Sequence, residues 1–97
     1  MKGYWIILAT EVADQSAQAE YGKLWAPIAE KYRARLNPTT VPPLLKEAGN
    51  SARVLIVEFP SYEAARACYD DPAYQKAKEF ALQAATRELV IFEGDLA

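Results

Sequence analysis

The stretch from Arg53 to Ala85, RVLIVEFPSYEAARACYDDPAYQKAKEFALQAA, decides the fold. Val54-Leu55-Ile56-Val57 is a short β-branched run, the signature of a strand covered on both faces. Counting by two, Val54, Ile56 and Glu58 share one face, and Leu55, Val57 and Phe59 share the other. Pro60 has no N–H for a ladder and ends the strand. Ser61 follows in position to cap a helix, with Glu63 adding negative charge near its positive end. Asp70-Asp71-Pro72 interrupts that helix, because the residue before a proline is pushed out of helical geometry. Asp71 as cap and Pro72 in the first helical position restart it. Beyond, Tyr74, Ala77, Ala81, Ala84 and Ala85 form one apolar stripe. The pattern predicts strand, helix, break, helix, lying back on a sheet.

Outward from this segment, Gly3 to Ala9 reads as a first strand, with Tyr4, Ile6 and Leu8 on one face and Trp5, Ile7 and Ala9 on the other; neither is polar. Asp14 is placed to cap a first helix in which Ala17, Tyr21, Leu24, Trp25, Ile28, Ala29 and Tyr32 recur at three- and four-residue steps. Pro27 lies inside that helix, so a kink is expected there. From Arg33 to Asn50 the chain is irregular. Pro38, Pro42 and Pro43 exclude a central strand and leave an edge strand or an extended arm. Glu88 to Glu93 alternates as a last strand, ended by Gly94. The order strand, helix, strand, strand, helix, strand is the ferredoxin-like βαββαβ pattern, an α+β fold with a four-stranded antiparallel sheet and two helices on one face.

Composition sets bounds. Ninety-seven residues make a single domain spanning 1–97, and a net charge of −2 offers no basic footprint for nucleic acid. The apolar run near the N-terminus, Tyr4 to Thr10, is too short to span a bilayer and lacks a cleavage site, so a cytoplasmic chain with no membrane association is expected. The lone Cys68 cannot form an internal disulfide, in keeping with a reducing compartment.

Two helices can cover only one face of such a sheet, whereas the first, third and fourth strands are apolar on both. At about 25 cal/mol per Å², leaving the second face wet forfeits several kcal/mol, comparable to the whole stability of a small domain. A homodimer pairing two sheets face to face resolves this; exposure of that face in the assembled protein, or a roof formed by the chain's own proline-rich arm, would remove the reason for it.

Gly3-Tyr4-Trp5-Ile6, Val57-Glu58-Phe59-Pro60-Ser61-Tyr62-Glu63-Ala64-Ala65, Tyr69-Asp70-Asp71-Pro72-Ala73-Tyr74-Gln75 and Glu93-Gly94 together resemble the domain of unknown function 1330 family, within the dimeric α+β barrel superfamily. The resemblance spans nearly the whole chain. It implies a ferredoxin-like protomer and a homodimer but no established activity; the wider superfamily includes cofactor-independent monooxygenases, muconolactone-type isomerases, polyketide cyclases and haem-degrading enzymes. Several positions depart from the family pattern. Arg33-Ala34 stands for a Gly-Gly pair, Thr39-Thr40-Val41 for Arg-Gly-Gly, Cys68 for a tryptophan, Ala81 for an arginine and Gln18 for a tyrosine. If the family holds an anion with those two arginines, this chain has lost both contacts.

Glu58 is the candidate catalytic residue, because a carboxylate on an apolar strand loses hydration and moves toward proton-transfer duty. The alternative is that it pairs with a cation such as Arg35 or Arg53, or reaches solvent. Glu93 sits at a similar strand end and is expected to be solvated. Tyr4, Trp25, Arg35, Tyr69 and Tyr74 are the candidate substrate-binding residues, with Trp5 as a further aromatic wall; the competing reading makes the aromatics core and Arg35 a surface charge. Cys68 reads as a small buried apolar residue rather than a nucleophile. The absence of histidine excludes a Ser-His-Asp triad, a His-ligated haem and most zinc sites, and the nucleotide-binding fingerprints are missing. No cofactor or metal is expected. Two classes of function remain: a cofactor-free enzyme acting on a small organic substrate through Glu58, and a non-catalytic dimer that binds a small ligand or supports an assembly. A Glu58 held by an arginine favours the second.

Overall fold

A computed structural model of the chain describes residues 1–95. The elements are β1 (Lys2–Ala9), α1 (Gln15–Tyr32), β2 (Arg35–Leu36), β3 (Arg53–Phe59), α2 (Tyr62–Asp70), α3 (Pro72–Ala84) and β4 (Arg87–Gly94). The strands form one antiparallel sheet ordered β2-β3-β1-β4, the ferredoxin-like α+β arrangement. Among the described residues no helix is long and apolar enough to cross a membrane.

Local chemistry accounts for the boundaries. Asp14 accepts from the Ala17 amide at 3.0 Å, Ser61 from Ala64 at 3.0 Å and Asp71 from Ala73 at 2.8 Å, so each helix begins on a side-chain oxygen that satisfies a free backbone donor. Asp71 is extended (φ −62°, ψ 131°) and divides the second helical segment. The break expected at Asp70-Asp71-Pro72 thus gives two separate helices, α2 and α3. α1 continues through Pro27, which lies on its exposed side. It ends at Arg33, which adopts the left-handed conformation at φ 54°. Glycine adopts that geometry without strain, so Arg33 holds a conformation that is uncommon for a residue with a side chain.

The arm from Asn37 to Ala52 makes no further strand, and β2 is reduced to two residues at the sheet edge. Asn37 ends β2 by exchanging two hydrogen bonds with Ile56, its amide donating to the Ile56 carbonyl at 2.6 Å and its side-chain oxygen accepting from the Ile56 amide at 3.0 Å.

Register gives the two faces different fates. Residues directly opposite on neighbouring strands share a face. Trp5, opposite Val57 and Ile91, and Ile7, opposite Leu55 and Leu89, face the helices. There Trp5, Ile7, Ile28, Val57, Phe59, Ala65, Cys68, Tyr74 and Ala77 form the buried core. Gly3 lies at the tight end of this layer: a β-carbon added there would come within 2.5 Å of the Ser61 carbonyl oxygen and 2.7 Å of the Tyr62 Cα. On the other face Tyr4 opposes Glu58 and Phe92, Ile6 opposes Ile56 and Val90, and Leu8 opposes Val54 and Glu88. The arm roofs only the Glu58 end of this face, through Pro38, Thr39 and Thr40. Ile6, Leu8, Val54, Ile56 and Phe92 stay half-buried and Val90 is 59 % exposed, so the protomer leaves an apolar strip uncovered.

Candidate functional site

The six residues singled out in the sequence divide between the two faces. Tyr4, Arg35 and Glu58 come together on the open face, because both Tyr4 and Arg35 are cross-strand partners of Glu58. With Pro38, Thr39, Thr40 and Ile56 they line a cavity of about 300 Å³. Glu58 is buried, at 4 % exposure, and is fully engaged. Its Oε1 accepts from Lys2 Nζ at 3.3 Å and Arg35 Nη1 at 3.2 Å, and its Oε2 accepts from the Tyr4 hydroxyl at 3.4 Å. A buried carboxylate with two cations and a phenol around it has its lone pairs satisfied and its charge compensated. Of the two arginines named as partners for Glu58, only Arg35 serves. Arg53 shares a face with Leu55 and Val57, and its Nε donates to the Thr10 carbonyl at 3.0 Å. Glu93 is exposed, as expected.

Trp25, Tyr69 and Tyr74 lie behind the sheet, in an aromatic cluster centred on Trp5. Ring centroids stand 5.7 Å from Trp5 for Trp25, 6.0 Å for Tyr69, 5.0 Å for Tyr74 and 5.0 Å for Phe59. The Trp5 indole N–H donates to the Ala65 carbonyl at 3.0 Å, tying β1 to α2. Burial, then the neighbouring Tyr21 hydroxyl at 3.3 Å, raises the Tyr74 pKa, so its phenol stays protonated at any ordinary pH. Burial likewise pushes the Cys68 thiol up to about 12, which matches its reading as an apolar residue.

A second cavity, of about 210 Å³, opens between α1 and the sheet beside this cluster. Trp5, Ile7, Tyr21, Trp25, Leu36, Leu55 and Val57 supply apolar and aromatic walls, while Gln18, Arg53 and Arg87 supply polar groups. Among the described residues no carboxylate lines it. Gly22 lies at its rim, with open space where a β-carbon would stand. Gln18 and Ala81, two positions that depart from the family pattern, both line this cavity. The Arg87 guanidinium sits 5.3 Å over the Tyr21 ring and donates to the Tyr74 hydroxyl at 3.5 Å. Sequence reading missed Arg53 and Arg87 as lining residues of this cavity. Strand parity carries part of the signal, since Arg53 falls on the Leu55–Val57 face, but their alignment depends on a register that only pairing establishes.

Comparisons with known proteins agree with this architecture. A family model described as "Domain of unknown function (DUF1330)" matches residues 2–95. A protein of unknown function from Rhodopseudomonas palustris is similar in structure with a TM-score of 0.64 at 20 % identity, over 99 % of this chain and 84 % of that one. A dimeric ferredoxin-like protein of unknown function from Jannaschia sp. CCS1 superposes at 0.64 with 14 % identity, over 97 % of this chain and 100 % of that one. SnoaB, a cofactor-independent oxygenase from Streptomyces nogalater, superposes at 0.59 with 16 % identity, over 99 % and 95 %. No curated protein matches in sequence.

Proposed function

The chain belongs to the DUF1330 family, and from that membership we propose that it acts as a homodimer whose protomers each bind a small organic molecule in the cavity between α1 and the sheet. The observation that carries this reading is the cavity of about 210 Å³ walled by Trp5, Tyr21 and Trp25. Concave, largely apolar sites with a few convergent polar groups are where small ligands bind. The uncovered strip of Ile6, Leu8, Val54, Ile56, Val90 and Phe92 supports the dimer, as does the dimeric state of the Jannaschia protein. Pairing two such strips removes apolar surface from water at about 25 cal/mol per Å². The ion pairs at Glu58 support binding over catalysis, because a carboxylate held by Lys2 and Arg35 is committed to structure.

Native mass spectrometry tests the assembly and the ligand together. The expected species has twice the 10.8 kDa protomer mass, with additional mass where a ligand is retained. A species of protomer mass at micromolar concentration overturns the dimer.

A second reading, proton transfer by Glu58 in a cofactor-free enzyme, is favoured by one observation: Tyr4, Arg35 and Glu58 line the same open-face cavity. The similarity to a cofactor-independent oxygenase keeps this class in view. Once a reaction is identified, unchanged turnover in Glu58→Gln would remove that residue as the proton-transfer group.

A further inference from the structure

Ala9 on the central strand β1 is the register partner of Arg53 on β3 and of Arg87 on β4. The two arginines therefore stand in one row across the sheet, separated only by a methyl side chain. With strands about 4.8 Å apart, their Cα atoms lie roughly 10 Å from each other, within reach of a shared ligand for side chains of this length. Both line the cavity behind the sheet. Arg53 spends its Nε on the Thr10 carbonyl, and its terminal nitrogens make no further hydrogen bond among the described residues. Arg87 makes one long bond to Tyr74 and stacks on Tyr21. Neither is ion-paired to a carboxylate among the described residues, whereas Lys2, Lys31 and Arg35 all are. Both side chains bring a positive charge to one cavity, so an anion bound there would meet charge-assisted donors from two strands.

We propose that the cavity takes a small aromatic carboxylate, its carboxylate held by Arg53 and Arg87 and its ring lodged against Trp5 and Trp25. This inference rests on the reading of that cavity as the binding site and adds the chemical class of the ligand. The cavity is smaller than the roughly 300–1,000 Å³ of clefts that hold drug-sized molecules, which suits a single ring.

The chain's only two tryptophans are Trp5 and Trp25, and both line the cavity, so intrinsic fluorescence reports its occupancy. The full chain is titrated with benzoate and with benzyl alcohol, which share the ring and differ in charge. Wild type is expected to bind benzoate at least about tenfold more tightly than benzyl alcohol, as charge-assisted bonds are stronger than neutral ones. Arg53→Gln and Arg87→Gln should each weaken benzoate about tenfold and leave benzyl alcohol unchanged. Equal affinity of wild type for the two probes overturns the carboxylate assignment and leaves the cavity as a binding site. Parallel loss of both probes in the arginine variants overturns it too, by making the arginines structural. Failure of both probes to perturb wild-type fluorescence overturns the carboxylate assignment together with the binding site. The wild-type comparison stands even if the Arg87 variant does not fold.

Discussion

The two faces of this sheet carry the same kinds of charge in opposite arrangements. On the open face one buried carboxylate, Glu58, is surrounded by Lys2, Arg35 and Tyr4. Behind the sheet, Arg53 and Arg87 flank a cavity that no carboxylate lines among the described residues. The first arrangement is saturated and the second incomplete. The contrast teaches that a conspicuous buried charge need not be an available one. Glu58 is the most conspicuous such residue in the sequence, yet its partners are all internal, whereas the arginines behind the sheet leave hydrogen-bonding capacity unused.

The same substitution at two glycines tests the helix-covered face from both ends. Gly3→Ala should have the largest effect, a loss of about 3 kcal/mol or more in chemical denaturation, because the atoms met are the backbone of Ser61 and Tyr62. A neutral result would mean that β1 and α2 are less closely apposed than described. On the open face, Glu58→Gln should cost about 1–2 kcal/mol, since it removes a charge that three donors share while Arg35, 64 % exposed, can return to water. A loss above about 4 kcal/mol would instead indicate that the cations are left buried and uncompensated.

A smaller effect belongs to the joint that holds α1 over the sheet. Asp71 accepts from Lys31 Nζ at 2.8 Å and from the Tyr32 hydroxyl, linking the end of α1 to the α2–α3 break. Those two bonds, then the Ala73 amide, lower the Asp71 pKa from 3.8 to about 2. A folded pKa below the unfolded one stabilises above the unfolded value and is lost as pH falls through the folded one. The Tm advantage of wild type over Asp71→Asn should therefore be complete above about pH 4 and should vanish as pH falls toward 2. A pH-independent gap would show that hydrogen bonding or packing, not ionisation, makes the difference. Gly22→Ala should have the smallest effect and the opposite sign to Gly3→Ala. A β-carbon there meets open space at the cavity rim, and the gain in helix propensity is about 0.5–1 kcal/mol. Destabilisation would mean that the space is already filled.

Local grammar made much of this fold legible. Asp14, Ser61 and Asp71 announce helix starts because capping needs only a side-chain oxygen next to free amides. Alternation sorted Val54, Ile56 and Glu58 from Leu55, Val57 and Phe59, and the structure keeps that sorting. Alternation alone leaves open which set meets the helices. Tyr4 and Trp5, adjacent in sequence and both aromatic, suggest walls of one pocket, but successive residues of a strand point to opposite faces and the sheet separates them. The Arg53–Ala9–Arg87 row was illegible because two pairings distant in sequence create it. The irregular Arg33–Asn50 segment gave an edge strand or an arm, and it contains a little of one and mostly the other.

Cys68 is the chain's single sulfhydryl and is fully buried between α2 and the core. A maleimide can reach it only in molecules whose α2 has lifted from the sheet, so the labelling rate under native conditions counts excursions of that one helix. The protein thus carries its own stopwatch for local opening, readable without any engineered probe.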